Sequence, residues 1–166
     1  MTASLQQVIE ALRNELQQYG EMLALLEAQQ EAVARRDSGS VLNSIPAVEA
    51  QSSAIQEARH TREAHQRQLA WAVGQPENVT FHELLPLLPD EYRPLLSALV
   101  QEINQLLGRV RQFAERNHAQ LQRSLELMEK FVVTLSGSSE AAPSSSGLTP
   151  HPETSSPGRP IYAAVV

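Results

Sequence analysis

The 166-residue chain contains no cysteine. No disulfide can staple it, and its composition fits a reducing cytoplasm. Aromatic residues make up only 4% and glycines number seven. No apolar run approaches the roughly 18 residues that suggest a membrane span, so no membrane insertion is expected. The N-terminal stretch "MTASLQQVIEALRNEL" lacks a basic patch followed by an apolar block, and no secretion signal is expected from it. The net charge is −6 and the arginines are scattered without a basic stripe. Nucleic acid is therefore not an expected partner.

Signs of catalysis are equally sparse. The five histidines are His60, His65, His82, His118 and His151. "HTREAH" sets two of them five apart, whereas joint metal binding on one helix face needs i,i+4. "FHELL" lacks a second histidine, and there is no glycine-rich phosphate loop. These readings predict solvent-exposed histidines, no cofactor, no metal and no enzyme.

What the chain does contain is Gln, Glu, Leu and Ala in quantity, the profile of long helices and coiled coils. Leu5, Ile9, Leu12, Leu16, Tyr19, Leu23, Leu26, Gln30 and Val33 follow strict 4,3 spacing, which is a sustained heptad seam. "DSGS" (Asp37 to Ser40) breaks it, with Gly39 as the expected turn residue. A second helix runs to Gly74, a residue suited to the position just past a helix end. Its seam of Val41, Ile45, Val48, Ile55, Leu69 and Val73 is interrupted by Ser52, Arg59, Arg62 and Gln66. Pro46 removes a backbone donor, so this helix either starts near Asn43 or Ser44, the preferred reading, or kinks there. Trp71, the single tryptophan, is expected to cap the bundle end; the other reading is a partner hot spot.

A connector follows with Pro76, Pro86, Pro89 and Pro94. "TFHE" (Thr80 to Glu83) reads as a capping box opening a short helix. Asp90 is expected to cap a long third helix whose seam is Leu96, Leu99, Ile103, Leu106, Val110, Phe113 and Asn117. Two steps of four through Leu121 and Leu125 then act as a stutter, where helix partners change. The first two helices should each span about 50 Å and the third about 67 Å, at 1.5 Å per residue. About ten residues of the third should outrun the other two by the same rise. The expected fold is all-α: an elongated antiparallel bundle or coiled coil of three long helices plus a short connector helix. Its domain covers 1–135. Residues 136–166 are rich in Ser, Pro and Gly and are expected to form a disordered tail.

The end of the third helix, "LQRSLELMEKFVVTL", is unusually apolar. Leu121, Leu125, Met128, Val132 and Leu135 form one stripe, and Leu127 and Phe131 widen it to roughly 160°, against about 100° for a helix docked on one neighbour. It reads as bundle packing, as a homodimer seam, or as a helix-in-groove site for another protein. Asn117 reads as a polar residue fixing register, or as a contact to a bound peptide. The tail ends in "IYAAVV", read either as a tail end without function or as a short motif that orders on a partner.

The long heptad helix with "YGEMLALLEAQQEAVARRD", the break after the Asp, the proline-bearing connector and "FAERNHAQLQRSLELMEKF" together resemble the FlgN-type flagellar export chaperones, over roughly residues 5–135. The resemblance implies a cytoplasmic protein; separately, a monomer or weak homodimer is expected. It implies binding of the helical C-terminal segments of the hook-associated proteins FlgK and FlgL, which prevents premature assembly, and delivery to the export gate protein FlhA. Carried onto this chain, it implies substrate contacts at Asn117, Leu121, Leu125, Met128, Phe131, Val132 and Leu135, and gate docking at Tyr162. The alternative is a structural coiled-coil protein that homo-oligomerises through the 121–135 stripe.

Overall fold

The computed structural model describes residues 2–137, with side chains described up to Thr134. Among these residues every regular element is helical: α1 (Thr2–Ala34), α2 (Ser38–Ala72), α3 (Phe81–Leu84), a 3-10 turn (Leu85–Leu87) and α4 (Arg93–Gly137). The all-α architecture of three long helices plus a short connector helix is as expected. By packing, the chain divides into two units, Met1–Gln120 and Leu121–Val166. The division falls within the stutter read from the sequence.

The reversal between α1 and α2 is tighter than expected. Two bonds close the end of α1: the Arg36 N–H donates to the Val33 carbonyl at 3.1 Å and the Asp37 N–H to the Ala32 carbonyl at 2.9 Å. This pattern needs a left-handed residue at its turn. Arg36 fills that place with φ 56°. Gly39, expected to make the turn, is instead inside the first turn of α2. Asp37 both ends α1 and caps α2. Its carboxylate accepts from the Ser40 N–H at 3.0 Å and the Ser40 hydroxyl at 2.6 Å, and these bonds hold its pKa below the usual range. This cap starts α2 at Ser38, so the expected start near Asn43 is corrected and Pro46 lies inside the helix. The proline leaves the Leu42 carbonyl without its helical donor. Leu42 is 66% exposed, so water can serve that carbonyl.

α1 is buried more widely than one seam allows. Leu5, Ile9, Leu12, Tyr19, Leu23 and Leu26 are buried as read, but so are Val8, Ala11, Glu15, Met22 and Gln29. Residues 8, 15, 22 and 29 form a second column. It combines with 5, 12, 19 and 26 into another heptad seam, so α1 packs two neighbours at once. The core joins α1 to Val48, Ile55 and Leu69 of α2, to Val73 just past its end, and to Leu96, Leu99, Ile103, Val110 and Phe113 of α4.

Polar partners on α1 and the connector explain two of the polar breaks in α2, Arg62 and Gln66. Arg62 sits opposite Glu15 with its Nε 2.6 Å from the carboxylate. Gln51 donates to the Gln18 carbonyl and to its side-chain Oε1, each at 2.9 Å. Gln66 donates to the Val79 carbonyl at 2.8 Å, tying the connector down. Burial raises the Glu15 pKa, and the Arg62 charge and hydrogen bond oppose that rise.

After α2, Gly74 at φ 72° takes the left-handed position that ends the helix. Gln75 N–H donates to the Ala70 carbonyl at 2.8 Å. The Thr80–Glu83 capping box forms as read and opens α3. Asp90 does not cap α4, which starts three residues later at Arg93. Its carboxylate instead meets Arg93 Nη1 at 2.6 Å. The rest of that guanidinium donates to the Leu88 carbonyl at 2.8 Å and the Pro86 carbonyl at 2.7 Å. One arginine thus gathers a connector whose prolines supply no backbone donors. Trp71 is 83% exposed, which corrects its expected role as a cap; the indole closes no bundle end.

Two stability predictions follow from these contacts. Arg36→Gly should gain about 0.5 kcal/mol: the left-handed penalty of about 1–2 kcal/mol is relieved, less the roughly 0.5–1 kcal/mol entropic cost of glycine. The urea midpoint should rise with an unchanged slope. Glu15→Leu should lose about 2 kcal/mol, because the buried Arg62 loses its nearer carboxylate and keeps only Glu63, at 3.6 Å, and the Gln66 side chain. Glu15→Leu combined with Arg62→Leu should recover to within about 1 kcal/mol of the parent. Glu15's raised pKa means its proton favours the folded state, a contribution present in acid and lost as pH rises through the folded pKa. Unfolding measured from acid to neutral pH should therefore show the parent weakening relative to the double variant.

Candidate functional site

Two neighbouring stretches of α4 carry the residues singled out in the sequence, and they differ in kind. The first is a polar layer centred on Asn117, which is 2% exposed. Its Nδ2 donates to the Leu26 carbonyl at 2.8 Å and to Gln29 Oε1 at 3.0 Å. Gln29 Nε2 in turn donates to Ser44 Oγ at 2.8 Å. The Ser44 hydroxyl then donates to the Val41 carbonyl at 2.6 Å. One chain of hydrogen bonds thus crosses from α4 through α1 to α2. Asn117 Oδ1 is buried without a hydrogen-bond partner, a cost of about 1–3 kcal/mol.

This placement corrects one expected contact. Asn117 is committed to α1 and has no surface to offer a bound peptide. The register-fixing reading fits the geometry, since a shift of α4 by one turn would strand Asn117 and Gln29 against apolar neighbours. Gln29, seen in the sequence only as a helix residue, was not legible as its partner because the second α1 column was not.

The second stretch is the apolar end of α4. Leu125, Met128, Phe131 and Val132 are 60–67% exposed. Leu121 is half-buried. The side chain of Leu135 and the whole of Tyr162 lie outside the described residues. Leu127 at 66% and Val133 at 70% are exposed as well. Leu127 extends the stripe; Val133 projects from the opposite, polar face by its helical phase. The sequence pattern flagged Leu127 but not Val133, whose phase gave it no place in any stripe. From Gln122 to Thr134 every described residue is exposed. Soluble proteins seldom leave so many large apolar side chains together in water unless something binds there.

Chemistry elsewhere is thin. Among the described residues no group of three or more metal-ligating side chains comes together. His60 sits beside Glu63 at 4.0 Å with its ring exposed, His82 and His118 are exposed, and His65 is half-buried within 3.4 Å of Gln68. An open recess of about 450 Å³ is lined by Phe81, Leu85, Val100 and polar side chains of α4. A second, of about 580 Å³, lies beside Trp71 with Ser4, Gln68 and Ala72. Neither gathers a carboxylate.

The comparisons with known proteins agree with a binding role. A family model described as "FlgN protein" matches residues 1–146, most of the chain. No curated protein and no solved structure gives a match. No helix among the described residues is long and apolar enough to cross a membrane. Members of the matched family are chaperones that bind flagellar substrate proteins, which supports a role without catalysis. With its three long helices, proline-bearing connector and exposed apolar helix end, the chain belongs to the FlgN family of flagellar export chaperones.

Proposed function

We propose that this chaperone captures helical C-terminal segments of the hook-associated proteins FlgK and FlgL on the apolar stripe of residues 121–135. Leu121, Leu125, Met128, Phe131, Val132 and Leu135 make the contact, with Leu127 at its edge. Asn117 acts behind it as the residue that fixes α4 on α1. The observation that carries the reading is the exposure of Leu125, Met128, Phe131 and Val132, all at least 60%, on one helix that shows no buried residue from Gln122 to Thr134. An amphipathic cargo helix laid on that stripe removes both apolar faces from water. Such segments would otherwise associate with one another, so covering them delays assembly. The complex forms in the cytoplasm and is handed to the export gate protein FlhA, with Tyr162 in the tail docking there.

Replacing Leu125, Met128 and Val132 together by Ser tests the stripe. These side chains are exposed, so the thermal midpoint should stay within a few degrees. Affinity for purified FlgK or FlgL should fall at least about 30-fold, since buried interface anchors contribute on the order of 2 kcal/mol or more. Unchanged cargo affinity with a folded variant would remove the assignment. Sedimentation at micromolar concentration separates the competing use of the stripe: a stable dimer of the parent chain that the triple variant abolishes would make it a homo-oligomer seam. The tail role has its own test. Deleting residues 138–166 should leave cargo affinity unchanged and weaken docking on the cytoplasmic part of FlhA, and retained docking would sink the role of Tyr162.

A further inference from the structure

The polar side of the same stretch is not uniform. At 100° per residue, Leu127, Phe131, Met128, Leu121, Val132 and Leu125 sweep out the apolar arc. Glu129 lies about 40° beyond Leu125, whereas Glu126 lies on the back of the helix, about 100° from either edge. Arg123 lies about 40° beyond Leu127 at the other edge, with Lys130 next to it. All four charged side chains are exposed. The stripe therefore has an acidic bank and a basic bank. An arrangement for solubility alone has no need to sort the signs, and mixing them around the helix would serve equally well.

We infer that the bound helix carries opposite charges on its own two flanks, acidic facing Arg123 and Lys130 and basic facing Glu129, and that these banks set its direction on the stripe. The inference rests on the cargo-binding reading above. In two-helix contacts the residues flanking an apolar seam meet those of the partner, and their charges select partner and orientation. Turning a helix end for end exchanges which flank meets which bank. A helix with sorted flanks thus matches in one direction and meets two like-charge rows in the other. A second copy of this chain laid antiparallel would set acidic bank against acidic bank and basic against basic. That disfavours the antiparallel twofold pairing of two such stripes.

Three synthetic amphipathic helices with one common Leu/Met stripe provide the probe: one with Glu on one flank and Lys on the other, one with Glu on both, one with Lys on both. Binding to the full chain is read by fluorescence anisotropy at low salt. The sorted-flank helix should bind about fivefold more tightly than either uniform one, the scale expected when exposed ion pairs replace like-charge contacts. The preference should shrink as salt rises. Arg123→Glu with Lys130→Glu makes both banks acidic and should shift the preference to the helix with Lys on both flanks. Equal affinity for all three helices, or a preference that the double variant leaves in place, overturns the inference. The Leu125, Met128 and Val132 triple-Ser variant separates the two levels. Loss of all three helices by that variant, with no flank preference in the parent, would leave the stripe standing and the banks refuted. Undiminished binding to the triple-Ser variant would refute the stripe itself. A parent chain that binds no helix but whose own dimerisation responds to the bank substitutions would assign the stripe to a second copy and overturn the inference.

Discussion

The fold depends on one helix serving two neighbours. Leu5, Leu12, Tyr19 and Leu26 recur every seven residues on α1 and belong to two seams at once. One seam is completed by Ile9, Leu16 and Leu23, the other by Val8, Glu15, Met22 and Gln29. A helix with a single stripe needs one partner; α1 needs two, and α2 and α4 both take part in its core. The tight reversal at Arg36 and Asp37 makes the first pairing local and antiparallel. The connector, gathered by Arg93 and by Gln66, lets the chain return for the second pairing.

The apolar seams alone would tolerate sliding, because Leu and Ile at heptad positions look alike after a shift of seven. Two polar layers remove that freedom. Glu15 can meet Arg62 at 2.6 Å only in the observed α1–α2 register. Asn117 can reach both the Leu26 carbonyl and Gln29 only in the observed α1–α4 register. Each layer costs stability, through desolvation of Glu15 in one and the partnerless Asn117 Oδ1 in the other. What they provide is a single alignment, the best-attested use of buried polar groups in helical pairs. The α4 layer stands only a few residues before the apolar stripe, so it also decides which residues of α4 remain for other partners.

Much of this was legible beforehand. The first α1 seam, all seven seam positions of α4 from Leu96 to Asn117, the Thr80 capping box and the Gly74 helix end were all readable. Each is a local pattern with one physical meaning. The misreadings share a cause: the deciding partner is distant in sequence or carries the less usual residue type. Ser52, Arg59, Arg62 and Gln66 looked like defects in the α2 seam, yet Arg62 and Gln66 answer polar groups on α1 and the connector. Arg36 adopts a conformation for which Gly39 was the better candidate by type, because the end of α1 fixes where the turn must fall. Asp90 has the right chemistry for a cap but spends it on Arg93. Trp71 was expected to cap the bundle end, and nothing in its local pattern says that it stays 83% exposed.

The stripe at 121–135 was legible as apolar surplus because a helical face can be read from phase alone. Whether it was covered by the chain itself was not, since that depends on where α1 and α2 run out of buried positions. Buried positions in α1 extend to Ala32 and in α4 to Asn117, and the described residues beyond Leu121 have none. A single helix face presents less surface than a groove between two helices, so a cargo helix seated on it gains limited burial. It must also bear its own ordering cost. Both effects hold affinity down and keep dissociation fast. Under the proposed reading this suits a chaperone that must yield its cargo at the export gate: apolar contact supplies capture, and the charged banks choose the direction without adding much to the affinity.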